Sequence, residues 1–276
     1  MINVILTVLA PLIGGVVYGI ERVVKARMQK RVGPPLMQPF YDFFKLMDKR
    51  PIMIHSLHAL MGIMYFIAEW FALAVLLLGN DLLIAVFFHV IAVLALVIGA
   101  SSVRSPYSVL GALRELMHMI SYEPLMVLMV VALYLVVGSF DIRDVLNYEG
   151  YPILEIPVVF FAFLLTIPMM LQKSPFDVAE AHQEIIGGPE IEYSGPFYEA
   201  LYTGKWIEYI YVFTFVFLFG GSHYWLGILL VVLAFLFINL LDNSSARLDF
   251  RTMVKFAWSV LIPMAALNVI LLALWQ

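Results

Sequence analysis

Long apolar runs recur along the chain at 4–20, 57–79, 82–100, 124–139, 153–171, 206–220, 223–241 and 254–275, separated by short polar stretches. Crossing a bilayer core of about 30 Å takes roughly 17–25 mostly apolar helical residues. The pattern therefore predicts an all-α integral membrane fold, a polytopic bundle of about eight transmembrane helices with long structured loops on one side. The runs at 124–139 and 206–220 are short, and extending them into flanking polar residues requires those residues to face protein or water rather than lipid. No soluble domain fits between the spans and no repeat or low-complexity linker is present, so residues 1–276 read as a single transmembrane domain. The opening MINVILTVLAPLIGG lacks a basic n-region and a small-residue cleavage site, and reads as a retained first span rather than a signal peptide.

Composition agrees with this reading: the chain is 63% apolar and 13% charged, against about half and a quarter in soluble proteins. Cysteine is absent, which excludes disulfides, thiolate metal sites, iron–sulfur ligation and a Cys nucleophile, so any redox centre must belong to a partner. Of the 16 Lys and Arg residues, all but Arg143 fall in the loops after spans one, three, five and seven or on their flanks. The positive-inside rule then places those loops in the cytoplasm, with both termini outside a multi-pass plasma membrane protein.

Three of these basic-side stretches carry candidate chemistry. In 21–51, Gly33-Pro34-Pro35 breaks the backbone, and Gln38 to Lys49 interleaves Phe40, Phe43, Phe44, Leu46 and Met47 with charges. That is the pattern of an interfacial helix, suited either to anionic lipid or to docking a soluble subunit. In 111–124, Tyr122 and Glu123 stand at the mouth of an apolar run, with Glu115 about two helical turns earlier. A carboxylate at that depth needs a partner or water, and Arg114 is the nearest cation; the alternative is a helix-end Glu facing headgroup water. In 174–200, the acids are Asp177, Glu180, Glu184, Glu190, Glu192 and Glu199. Asp177, Glu180 and Glu184 stand at i, i+3 and i+7, one face of a helix if the stretch is helical. Crowded carboxylates raise one another's pKa, as a proton relay requires, although a solvated acidic loop has the same composition.

Glu69 lies inside an apolar run with no basic neighbour in sequence, and must be protonated or matched from another helix. His182 sits in the acidic loop, where an imidazole can pass protons, while His89 and His118 read as satisfied helix histidines and Glu155 and Glu208 as span-end acids at the interface. His55 and His58 share a helical face, but no third ligand accompanies them, so no metal site is expected. Nucleotide, hydrolase and zinc-protease motifs are missing, and no catalytic residue is assigned.

Taken in order, E-R-x-x-K-A-R-M-Q-x-R-x-G-P at 21–34, G-A-L-R-E-L-x-x-M-I-S-Y-E at 111–123, S-P-F-D-V-A-E-A-x-Q-E at 174–184 with E-Y-S-G at 192–195, and A-R-L-D-F-R with W-x-x-L-I-P at 246–263 form a specific set. The chain resembles the membrane subunit that joins the peripheral and membrane arms of respiratory complex I and of the energy-converting group 4 nickel–iron hydrogenases. The hydrogenase branch looks closer, because the first loop runs G-P-P-L-M-Q-P where quinone-reducing relatives usually insert a second G-P-x-G. The resemblance implies a non-catalytic coupling subunit of a redox-driven ion pump. It would dock hydrogenase-like large and small subunits and iron–sulfur subunits, with the nickel–iron centre and clusters held there, and would pass protons toward antiporter-like membrane subunits. It implies loop carboxylates at Asp177, Glu180, Glu184 and Glu192, an intramembrane acid at Glu123 with Arg114, Glu115 and Tyr122 as neighbours, and a docking shelf of Arg22, Lys25, Arg27, Gln29, Arg31, Gly33 and Pro34. A quinone-reducing or ferredoxin-dependent sulfur-reducing complex would use the same subunit. An independent transporter would be expected to show internal repeats, and none is present; a passive anchor is the remaining alternative, and nucleic acid is not an expected partner.

Overall fold

The computed structural model describes residues 2–275, apart from the side chains of 2, 182 and 275. The described chain is helical throughout, joined by irregular turns and one isolated antiparallel bridge between Asp81 and Asp141. The helices are α1 (Ile2–Met28), α2 (Gln38–Met47), α3 (Ser56–Leu78), α4 (Leu82–Ser101), α5 (Pro106–Val137), α6 (Ile142–Asn147), α7 (Pro152–Glu155), α8 (Pro157–Met170), α9 (His182–Ile185), α10 (Pro196–Leu218), α11 (Tyr224–Ser244), α12 (Phe250–Phe256) and α13 (Ile262–Trp275). A π-helical turn, Ala257–Leu261, joins α12 to α13.

Six described helices are long and apolar enough to cross a membrane: α1, α3, α4, α5, α11 and the α12–α13 run. The shorter α8 is apolar as well. The remaining predicted span, 206–220, is α10, long enough at 23 residues but carrying Glu199, Lys205 and Glu208, all of which meet protein partners. The protein is thus an all-α polytopic membrane protein. Chain reversals are set by local chemistry: the Asp81 carboxylate caps α4 by accepting from the Leu83 and Ile84 amides, and Gly138, at φ 83°, closes α5 in a left-handed turn.

Two boundaries differ from the sequence reading. The segment 111–124 is not a loop leading into a span but part of the 32-residue α5, with Pro124 inside it. Its polar residues are tolerated because Glu115, His118 and Tyr122 are buried against other parts of the chain, Glu115 by the 171–195 loop, His118 by α8 and Tyr122 by His89 of α4. The 20-residue α4 meets α5 at both ends, through the turn at 102–105 and the hydrogen bond from Leu82 N to Phe140 O. At about 1.5 Å per residue α5 is longer by ~18 Å, which tilt and bending must absorb; Pro124 removes one backbone bond there. Likewise α10 starts at Pro196, not near 206, and so carries Glu199 and Lys205 into the bundle.

At the centre, α10 packs against α1, α3 and α11. A Cβ at Gly14 of α1 would overlap the Trp206 carbonyl, so only glycine permits that crossing. The predicted amphipathic helix forms as α2 and lies over α1 and α10, its Phe40 and Phe43 rings resting edge-on or tilted against Trp206. Residues 171–195 fold back over the basic end of the bundle, with Gly188–Glu190 tucked against Gly111.

Candidate functional site

Buried polar residues in this apolar bundle are concentrated in two connected places. The first lies where residues 171–195 meet α10 and α5. Lys205 of α10 is shared by two loop carboxylates, Glu180 and Glu190, the latter at 2.6 Å. Gln172 donates to the buried Glu115 carboxylate at 2.5 Å, and Lys173 pairs with Glu21 of α1 at 2.6 Å. Burial, and next to it the Glu180 charge, pushes the Glu190 carboxyl up to about 7. Burial works against the Lys173 ammonium, but Tyr209 and Glu21 hold its pKa well above the ordinary lysine value.

The predicted common face of Asp177, Glu180 and Glu184 does not form. Residues 171–181 are irregular and α9 is a single turn of four residues, because Pro175 and the left-handed Ile186, Gly187 and Gly188 interrupt any helix. Each carboxylate instead meets a cation from a different element: Asp177 meets Arg247 at 2.8 Å, Glu184 meets Arg114 at 2.8 Å, and Glu180 meets Lys205. Arg114 is therefore occupied by Glu184 and the Val178 carbonyl, and does not compensate Glu123. Glu192 is half-buried and makes no ion pair among the described residues. The His182 side chain lies outside the described residues.

The second place lies inside the membrane-spanning bundle. Glu69 of α3 does have a partner: its Oε1 is 2.6 Å from Nδ1 of His89 on α4. Nε2 of His89 is 3.3 Å from the Tyr122 hydroxyl and 3.9 Å from Glu123 Oε1. Neither oxygen of Glu123 has a hydrogen-bond partner; the residue stands well inside α5 rather than at its mouth. One turn before Glu69 on α3, the Tyr65 hydroxyl donates to Glu208 of α10 at 3.3 Å. Glu208 is buried mid-bundle, not at an interface as its position near a predicted span end suggested. Glu155 does lie at the surface, where Tyr148 donates to it.

A cavity of about 80 Å³ joins the two places; Gln172, Lys173, Glu180, Lys205 and Glu208 supply its polar wall. The ordered groups then run Glu190 and Glu180, Lys205, Glu208, Tyr65, Glu69, His89, with Tyr122 and Glu123 at the end. Sequence reasoning passed over Lys205, Glu190 and Glu208 as site residues, and gave His89 no partner. Lys205 and Glu208 carry the same signal that marks Glu69, a charge beside or within an apolar run, and their i, i+3 spacing puts them on one face of α10.

The docking residues divide into those engaged within the chain and those not. Arg22 is paired with Asp42 of α2 at 3.0 Å and Lys25 with Asp242 of α11 at 2.6 Å. Gln29 bridges Asn243, at 2.7 Å, and Arg31. Gly33 takes φ 79° before Pro34, turning the chain toward α2. Arg27 is exposed and without a side-chain partner among the described residues. His55 caps α3 through Nδ1 to the His58 amide and lies 3.0 Å from the Ser102 carbonyl through Nε2, so both its nitrogens are used.

The family model described as NADH dehydrogenase matches residues 1–273. A subunit of the NADH-quinone oxidoreductase of Brevibacillus brevis is 32% identical, over 96% of this chain and 90% of that protein. Its counterpart in the NADH-quinone oxidoreductase of Geobacter sulfurreducens is 30% identical, over 91% and 88%. A chain of the membrane-bound sulfane sulfur reductase, an archaeal respiratory membrane complex, superimposes with a TM-score of 0.89, covering 98% of each chain at 24% identity. At that identity the likeness speaks for the fold.

Proposed function

The chain belongs to the NADH dehydrogenase family, and from that premise we propose that it is the membrane-embedded coupling subunit of a multisubunit respiratory complex, carrying protons between its 171–195 loop and the membrane interior. The observation that carries this reading is the run of buried titratable groups from Glu190 to Glu123: a cavity of about 80 Å³ joins Glu180 and Lys205 to Glu208, Tyr65 donates to Glu208, and Glu69, one turn beyond Tyr65, pairs with His89 beside Glu123. A polar cavity needs ~10–15 Å³ per water-sized probe, so this one has room for water between Lys205 and Glu208.

The residues suggest how the loop acts. Lys205 is too small a positive charge to compensate Glu180, Glu190 and Glu208 together. A loop movement that weakens the Glu180–Lys205 contact favours a proton on the loop carboxylate, and frees Lys205 to hold Glu208, three residues on, as an anion. The Tyr65 hydroxyl and the Glu69–His89 pair then offer the onward path to Glu123. Redox centres on a docked module would drive the loop, and antiporter-like subunits would receive the proton. The G-P-P-L-M-Q-P run of the first loop favours a hydrogenase-type module with iron–sulfur and nickel–iron centres. The names of the curated relatives favour one second reading, a quinone-reducing module.

The test uses the purified complex reconstituted in vesicles. Glu208→Gln and Glu123→Gln are expected to keep electron transfer while ion translocation per electron falls severalfold. An unchanged ratio in both variants refutes the reading, and loss of assembly alone in Glu180→Gln and Glu190→Gln, with the ratio kept in whatever complex forms, would indicate a passive anchor.

A further inference from the structure

We propose that the crevice between α1 and α11 is a binding site for a single membrane phospholipid with an anionic headgroup, its chain held in the crevice and its phosphate met by Arg27. α1 and α11 are clasped at the basic end, by Lys25–Asp242 and Gln29–Asn243. Below this clasp, a crevice of about 490 Å³ runs between them, with α10 as its floor. Ile13, Val17 and Ile20 line one wall, Val232 and Phe235 the other, and Phe213 the floor. The one hydroxyl in the lining, Thr214, is already spent on the Ile210 carbonyl. The site thus presents no free hydrogen-bonding group, has the volume typical of ligand pockets (roughly 300–1,000 Å³), and opens sideways into the hydrocarbon. A hydrocarbon chain fits that chemistry; water and polar solutes do not.

Charge chooses among lipids. Ile13, Val17, Ile20, Val24 and Arg27 follow one another at helical spacing, so Arg27 prolongs the lining stripe of α1. It stands seven residues beyond Ile20, about 10 Å along the axis, at the end where the hydrocarbon gives way to headgroups. Unlike Arg22 and Lys25, it is exposed and takes no partner within the described chain. A guanidinium above an apolar slot suits a phosphate with its chain below.

The test places a photoreactive benzophenone side chain at Leu236, on the lip of the crevice and 45% exposed, in the intact complex in native membranes. Irradiation is expected to give this chain an adduct of phospholipid mass; a covalent link to another subunit in its place would overturn the proposal. In parallel, Val232→Trp fills the slot and Arg27→Gln removes the cation. Each is expected to lower the anionic phospholipid retained by the detergent-washed complex, as read by lipid mass spectrometry. Retention equal to wild type in both variants would overturn the proposal even if the adduct forms.

Discussion

Glu69 and His89 face each other at 2.6 Å across α3 and α4, and neither side chain has any exposed surface. An isolated carboxylate there would be untenable, since desolvation of a charge costs several kcal/mol. The imidazole meets that need with Nδ1 and leaves Nε2 for Tyr122 and Glu123. A histidine so placed can take a proton on one nitrogen and give it up from the other, which a lysine or arginine cannot do.

Breaking the pair from one side should be costly and breaking it from both sides less so. Glu69→Ala or His89→Ala alone leaves an unpaired buried group, a loss of roughly 3–5 kcal/mol, whereas the double variant removes both needs together. Thermal unfolding of the purified complex should show the double variant well above the sum of the singles. Additive shifts in Tm would mean that the two side chains are not coupled.

Lys205 is predicted to hold the loop to the bundle. Lys205→Met leaves Glu180 and Glu190 buried without a cation, a cost of roughly 3–5 kcal/mol that one or both can reduce by taking protons. Hydrogen exchange across 176–191 should therefore speed up in this variant, and adding Glu190→Gln should partly restore protection. Wild-type exchange in Lys205→Met would count against the pairing.

How far the sequence shows this arrangement depends on what each feature rests on. Spans and the amphipathic α2 are legible because apolar periodicity is local. The start of α5 is not, since GALRELMHMISY reads as a polar loop until one knows that Glu115 and His118 face α8 and the 171–195 loop rather than lipid. Spacing misled at Asp177, Glu180 and Glu184, where i, i+3, i+7 suggested a helix; three cations on separate elements, with Pro175, draw the chain into an irregular path instead. The Glu69–His89 contact depends on the relative register of two helices, which no single-helix pattern encodes.

Loop stability should fall as pH rises from about 4.5 to 7. Glu190 has its carboxyl pushed from an ordinary 4.5 up to about 7, by burial first and by Glu180 second. Below the lower value the group is protonated both in the folded loop and in the released one, so pH has no effect. Between the two values the folded loop keeps the proton and the released loop does not, so each rise in pH favours release. Above 7 both are ionised and the penalty is complete. Hydrogen exchange of 182–191, corrected for its intrinsic pH dependence, should show this slope in wild type and lose it in Glu190→Gln. A slope that persists in Glu190→Gln would assign it to another group.

Tyr193 is predicted to be the mechanical anchor of the same loop, through its ring rather than its hydroxyl. The ring stacks on His58 at 3.8 Å and lies in a slot whose walls are Gly62 of α3 and Gly99 of α4. A Cβ at Gly62 would stand 2.7 Å from the ring, and one at Gly99 would collide with the phenol oxygen. That oxygen has no hydrogen-bond partner, and burial, then the Glu190 charge, raises its pKa, so it stays protonated and idle. Removing the hydroxyl from an unsatisfied site should be near neutral, whereas removing a packed aromatic ring should cost roughly 3–5 kcal/mol. Tyr193→Phe should therefore keep wild-type exchange protection in 182–191 and a normal translocation ratio, while Tyr193→Ala and Gly99→Ala should lose both. A Cβ at Gly99 would meet the Tyr193 oxygen most closely and the Met61 Cβ next, at 2.9 Å, so Tyr193→Phe should rescue Gly99→Ala only in part; a Tyr193→Phe defect as large as that of Tyr193→Ala would show that the hydroxyl, and not the ring in its slot, anchors the loop.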